Sequence, residues 1–222
     1  LDEDGYLAVD GRTRFELHRV TLDDTVTTFH TDDGEADHAW ARANHNGRKV
    51  FVSTPIDDIP FARVVALDGT VTEMPARFAA EGILDFVGAK VLHGQTVRTK
   101  RFTGEQLEVR NLNRGRSRKV IRKAGATFVV GSLSGGVVGW LEPRGNDKPV
   151  RTSFATLSKP NAVLWTKKFY ALALNPSAKR VIGWGAKGRL QVRRTSDGKV
   201  VSKLRKGLSA ASVLWTSNDD VL

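Results

Sequence analysis

The densest chemistry in the chain is cationic. Between positions 98 and 123 stand Arg98, Lys100, Arg101, Arg110, Arg114, Arg116, Arg118, Lys119, Arg122 and Lys123 against two carboxylates, Glu105 and Glu108, a net of 10 − 2 = +8. Guanidinium and ammonium groups at that density can hold phosphate or carboxylate oxygens through charge-assisted hydrogen bonds. Arg116, Arg118 and Lys119 adjoin the turn signal Arg114-Gly115-Arg116, so the spacing predicts several guanidinium groups projecting from one rim of the fold. Phe102 alone interleaves with these cations, too little aromatic surface for stacking successive bases, so no sequence-specific readout of a nucleic acid is expected. The same charges suit the bland task of solvating a strand edge and discouraging edge-to-edge pairing.

Other reactive residue types lack the spacing that chemistry needs. Gly131-Ser132-Leu133-Ser134-Gly135 has Leu at the position where a nucleophile elbow requires Ser, and the segment is expected to be a tight turn between strands. Gly183-Trp184-Gly185-Ala186-Lys187-Gly188 has the wrong spacing for a phosphate-cradling loop. The five histidines, His18, His30, His38, His45 and His93, form no His-Glu-x-x-His, and there is no cysteine to complete a zinc site or a disulfide. The acidic run Asp32-Asp33-Gly34-Glu35-Ala36-Asp37 offers hard oxygen ligands without the distal Glu of a dedicated calcium loop, and Asp23, Asp24, Asp57 and Asp58 read as turn carboxylates. No facing pair of carboxylates emerges for acid–base work. The expectation is therefore no catalysis, no metal and no cofactor.

These residues need elements to position them, and the elements read as strands. Phe15–Val20, Lys49–Ser53, Phe61–Leu67 and Arg189–Arg193 alternate or sit between turn residues, as half-buried strands do. Met74 to Val87 is the best helix candidate, with Phe78, Ile83 and Leu84 loosely spaced, but Pro75, Gly82 and Gly88 argue against a long helix. Trp40, Trp140, Trp165, Trp184 and Trp215 sit in apolar contexts suited to packing. No unbroken apolar window of about 18 residues occurs, so no membrane span is expected. Charge is divided: residues 1–60 carry 13 acidic and 6 basic residues, net −7, and residues 61–222 carry 11 and 29, net +18. A basic excess of this size favours polyanionic partners. Leu1 is neither a Met start nor part of a leader, and the last residues fall within an expected strand, so the chain reads as a piece of a longer protein with no compartment assigned.

Turn signals recur at Leu22–Thr25, Leu67–Thr70, Arg114–Arg116, Arg144–Asn146 and Ser196–Lys199, four intervals between positions 24 and 198 with a mean of about 43 residues. That is the length of a four-stranded propeller blade, about 40–45 residues. Val163-Leu164-Trp165-Thr166 is echoed by Val213-Leu214-Trp215-Thr216 and more weakly by Ile83-Leu84-Asp85-Phe86, although the echo spacing of 50 differs from the turn period and leaves the register open. A second alignment sets Ala171-Leu172-Ala173-Leu174 in that role.

From Tyr170 to Gly207 the chain resembles a WD-repeat blade: an apolar strand, an Asn175-Pro176-Ser177 turn, a second strand, a Gly-marked turn, a third strand, then Asp197-Gly198-Lys199 and a fourth. The Trp-Asp signature is absent, with Arg193-Arg194 in its place, and no Gly-His opens a blade. The resemblance implies a seven- or eight-bladed propeller in the intact protein. The expected fold is accordingly all-β, a single propeller domain or partial propeller over 1–222 with about five four-stranded blades, at 1–36, 37–81, 82–126, 127–162 and 163–212, another starting at 213–222, either closing as a ring at five or forming part of a larger, incomplete one. A lone blade cannot bury both faces, so blades must stack. By analogy with propellers, the expected function is a non-catalytic scaffold whose loops on one face bind a protein. The alternatives are binding of an anionic polymer such as nucleic acid through the Arg98–Lys123 rim, and the propeller portion of a larger enzyme, suggested by Thr195-Ser196-Asp197-Gly198-Lys199-Val200.

Overall fold

The computed structural model describes residues 5–10, 14–21, 25–33, 40–43, 48–56, 59–74, 83–142, 150–185, 188–204 and 215. Nineteen strands are described, in five antiparallel sheets. The first holds β1 (Gly5–Asp10), β2 (Arg14–Thr21) and β3 (Val26–Asp33), and the second β4 (Trp40–Ala43), β5 (Lys49–Ile56), β6 (Ile59–Ala66) and β7 (Val71–Met74). The third holds β8 (Ile83–Val87), β9 (Lys90–Thr99), β10 (Phe102–Asn111) and β11 (Arg116–Ala124). The fourth is β12 (Thr127–Ser132), β13 (Val137–Leu141), β14 (Thr152–Thr156) and β15 (Val163–Lys167), and the fifth is β16 (Phe169–Leu174), β17 (Arg180–Gly185), β18 (Leu190–Arg194) and β19 (Val200–Lys203). Each is a meander in chain order, with three described strands in the first sheet and four in the others. Among the described residues no helix is long and apolar enough to cross a membrane.

The chain divides into two compact units, Leu1–His93 with Arg110–Arg116, and Gly94–Val109 with Ser117–Leu222. In the first, Val50, Val52 and Val65 pack with Leu17 of the first sheet, while Phe51, Ala62 and Val64 pack with Phe86 and Val91. Successive residues of β5 thus point into different cores, as a two-residue period requires, and the register Phe51↔Val64, Val50↔Val65 keeps each partner on the same side. This explains the unbroken Val50-Phe51-Val52 run, since the sheet is buried on both faces. Phe51 and Phe86 meet edge-to-face at 6.2 Å between centroids. Within this unit β4 lies against β8.

The second unit repeats the arrangement. Phe169, Ala171 and Val181 pack with Val130, Phe154 and Trp165 of the fourth sheet, while Ile182, Leu190 and Val192 pack with Trp215. Trp165 stacks on Phe154 at 4.5 Å, its indole Nε1 donates to the Thr195 carbonyl at 2.7 Å, and β12 lies against β16.

Three sequence expectations need correction. The helix candidate is strand at both described ends, with Met74 closing β7 and Ile83–Val87 forming β8, because Leu84 and Phe86 are buried and β8 pairs along β9. Pairing and burial override the loose helical spacing. The expected blade break between 162 and 163 falls inside the fourth sheet, since Val163–Lys167 pairs with Thr152–Thr156. Gly131 and Ser132 end β12, so the turn expected there is Leu133 to Gly136, with Gly136 at φ 63°.

A shared irregularity supplies the register that the echoes left open. The first two strands of the third, fourth and fifth sheets slip register between Ile83 and Asp85, between Phe128 and Val130, and between Ala171 and Ala173. The bulged residues are Leu84, Val129 and Leu172, at intervals of about 45 and 43, the length of a blade. Ile83-Leu84-Asp85 is therefore equivalent to Ala171-Leu172-Ala173 in first strands, whereas Val163-Leu164-Trp165 is a fourth strand. Val213 and Leu214 lie outside the described residues.

Candidate functional site

The cationic stretch occupies β9, β10, β11 and their turns. Arg110 is buried at 6% exposure, and Arg110, Arg114 and Arg116 belong to the first compact unit while the other seven belong to the second. Arg110 is therefore no part of an exposed rim. The sequence reading missed this because β10 alternates: Gln106, Glu108 and Arg110 share a buried polar face, and a charged letter says nothing about which face it takes.

In the second unit the acids of the stretch are taken up internally. Glu105 Oε2 accepts from the Phe128 amide at 2.6 Å, and Glu108 Oε1 accepts from Gln106 Nε2, while Gln106 Oε1 accepts from Arg122 Nε. The Arg122 guanidinium lies over the Phe102 ring at 5.8 Å, and Lys123 Nζ lies over Trp140 at 4.6 Å. Arg122 and Lys123 are therefore held in place. Arg98, Lys100, Arg101, Arg118 and Lys119 are exposed, and none forms an ion pair among the described residues. Alternation along β11 sets Arg118 and Arg122 on one side of the strand and Lys119 and Lys123 on the other.

The remaining sequence candidates do not converge. His18 is on β2, with Nδ1 2.9 Å from Thr28 Oγ1 and Nε2 3.3 Å from Glu16 Oε2, and His93 is buried on β9 opposite Ile83. His30, Asp32 and Asp33 are strand residues of β3, while His38, His45, Asp23, Asp24, Asp57 and Asp58 lie outside the described residues. No group of three or more His, Asp or Glu side chains could hold a metal among the described residues. Trp140, Trp165 and Trp215 are core residues and Trp184 is half-buried opposite Tyr170.

A second surface, not singled out from sequence, is made by turns of the second unit. Antiparallel meanders bring the first and third turns of a sheet to the same end, here 133–136 and 157–162 of the fourth sheet and 175–179 and 195–199 of the fifth. Each is fixed by its own side chains. Ser132 Oγ accepts from the Gly135 amide at 3.0 Å, Thr156 Oγ1 from the Lys159 amide at 3.1 Å, Asn175 Oδ1 from the Arg180 amide at 2.8 Å, and Asp197 Oδ1 from the Lys199 amide at 3.0 Å. Two of them are also tied together, Thr195 Oγ1 donating to the Ala178 carbonyl at 2.8 Å. Ala178 takes the left-handed conformation, φ 55°, and a methyl added to Gly135 would lie 2.2 Å from the Ala178 Cβ.

Arg193 and Arg194, at the place of the missing Trp-Asp pair, brace the last turn. Arg193 Nη1 donates to the Gly198 carbonyl at 2.6 Å and Nη2 to Gln191 Oε1 at 2.9 Å, with the guanidinium 5.2 Å from the Phe169 centroid. Burial pulls the Arg193 guanidinium below its ordinary range. Arg194 pairs with Asp197 at 3.0 Å. The signals for this surface were the Asn175-Pro176-Ser177 and Ser196-Asp197-Gly198 turns, which the resemblance used for topology and not for binding.

No family model matches the chain, and no curated protein matches it by sequence. Solved structures do match it in fold. TolB from Acinetobacter baumannii superposes with a TM-score of 0.70 at 12% identity, over 96% of this chain and 56% of that one. Oligogalacturonate lyase from Vibrio parahaemolyticus does so at 0.61 and 14%, over 93% and 66%, and the C-terminal WD40 domain of Sif2 at 0.54 and 11%, over 100% and 63%. The chain spans 56 to 66% of the length of these three. The fold is an all-β propeller, and an identity of 11 to 14% carries the fold alone.

Proposed function

We propose that this chain is a non-catalytic interaction scaffold that holds a protein partner on the turns at one end of its sheets. The observation that supports this reading is the preorganised turn set of the second unit: four turns, each closed by a side chain–backbone hydrogen bond, two of them bonded to one another. A surface ordered before binding loses little conformational entropy on association. Exposed polar groups on these turns, among them Ser134, Lys159, Asn161, Lys179, Ser196 and Lys199, supply the contacts.

The test is a photo-crosslinking residue placed singly at Lys159, Lys179 or Lys199, with Lys168, in the connection between β15 and β16 at the other end of the sheets, as the control position. The reading expects a crosslinked protein of one mass from the three turn positions and little from Lys168. Equal yield at Lys168, or no crosslinked species at the turns, overturns it.

A further inference from the structure

We infer that the outer edge of β11, over Ser117–Lys123, is a docking strand for an extended acidic segment of a partner protein. This surface shares no residue with the turns of the proposed scaffold function and stands or falls independently of them. β11 is the end strand of the third sheet, and among the described residues no strand pairs its outer side. Its backbone groups on that side are those of a sheet edge, which an extended peptide can satisfy by adding a strand.

The side chains say which peptide. Arg118 and Lys119 are exposed, leave opposite sides of the strand and form no ion pair among the described residues. An added strand would run between two cationic side chains, one over each of its faces, and carboxylates at neighbouring positions would meet them as cross-strand pairs. Lys100 and Arg101, also exposed, extend the positive field at the end of the edge where Arg122 lies over Phe102. The only acids of this stretch, Glu105 and Glu108, lie on β10, where the Phe128 amide and Gln106 engage them, and their two charges stand against seven cations of the stretch in this unit, so the field stays positive.

The same residues disfavour a nucleic acid. Single-strand binding draws on aromatic faces for base stacking. Of the aromatic rings beside this edge, Trp140 is buried and half-buried Phe102 carries Arg122 over one face. Carboxylates on a β-strand use both the charge and the backbone edge, whereas phosphates use only the charge.

The probe is a fluorescent heptapeptide, Thr-Glu-Glu-Thr-Glu-Glu-Thr, whose adjacent carboxylates fall on opposite faces of an added strand, titrated at low ionic strength by anisotropy. It is compared with the same peptide N-methylated at every second residue and with an oligothymidylate of equal charge. Binding of the plain peptide is expected, weakened about tenfold or more by N-methylation, which removes backbone donors and keeps the charge, and by the R118A/K119A variant. Both substituted side chains are exposed, so an unchanged thermal midpoint checks that the variant folds. Equal affinity for the N-methylated peptide, tighter binding of the oligothymidylate, indifference to R118A/K119A, or no binding of the plain peptide each overturns the proposal. The crosslinking result at Lys159, Lys179 and Lys199 is unaffected by any of these.

Discussion

A pair of small residues shows how tightly the turn surface is set. Gly135 has no room for a methyl, since a Cβ there would sit 2.2 Å from that of Ala178, itself 3% exposed. Gly135→Ala should therefore destabilise the fold by about 1–3 kcal/mol through overpacking. Ala178→Gly alone should change stability by about 1 kcal/mol or less, because relief of the left-handed strain offsets the lost methyl burial. The double variant removes the collision, so denaturant unfolding of all four proteins should give a coupling energy of about 1 kcal/mol or more. Strict additivity would show that the two turns do not touch. Arg193 makes a second case at this scale. Its two terminal nitrogens serve different acceptors, Gly198 and Gln191, a geometry that an ammonium group does not reproduce. Arg193→Lys should lose most of what Arg193→Ala loses, about 1–3 kcal/mol. A Lys variant as stable as the wild type would mean that charge alone matters there. Charge patterning in the sequence could not have separated this braced arginine from the exposed ones on β11, because exposure is decided by which neighbouring sheet covers each face.

At the scale of the element, the repeat was legible in length and obscure in phase. The turn signals gave a mean of about 43 residues, and bulges at Leu84, Val129 and Leu172 place the blades at nearly that interval. The Trp echo misled because a fourth-strand tryptophan, Trp165, shares an apolar neighbourhood with first-strand residues, and apolar letters do not name a strand's place in its sheet. Glycines carried a better signal. Gly94, Gly139 and Gly183 all lie in second strands, Gly139 facing Val130 and Gly183 facing Ala171 just beside the bulges. A Cβ at Gly183 would meet the Tyr170 carbonyl oxygen at 2.1 Å, one at Gly139 would meet the Phe154 ring at 2.8 Å, and one at Gly94 would meet Glu105 Oε2 at 3.1 Å. Backbone yields least and a flexible carboxylate most. Thermal unfolding of the three Gly→Ala variants should rank Gly183 as the costliest, then Gly139, then Gly94, with Gly183→Ala at about 3 kcal/mol. The reverse order would mean that the glycines are kept for backbone freedom and not for space.

On the scale of the whole molecule, each sheet is too thin to make a core alone, and stability comes from covering both of its faces. This part of the fold was legible in unbroken apolar runs such as Val50-Phe51-Val52, which suit a strand buried on both sides and not one facing water. The basic surface was legible only as a count, since alternation buried Arg110 and left Arg118 and Lys119 outside. Nearest-neighbour stability makes a spatially graded prediction. Trp215 covers Ile182, Leu190 and Val192 on one face of the fifth sheet and donates from Nε1 to the Ala173 carbonyl at 3.3 Å. The cluster of the fourth sheet, where Val130, Phe154 and Trp165 meet Phe169, is a separate one among the described residues. Trp215→Ala should remove about 3–5 kcal/mol of local stabilisation and leave one face of β16–β19 open to water. In native-state hydrogen exchange, amides of β17 and β18 should then lose protection by far more than those of β13 and β14, because repeats open one interface at a time. If protection falls equally in both sheets, the second unit opens as one cooperative body, and a binding surface spanning its two sheets would be ordered or lost as a whole.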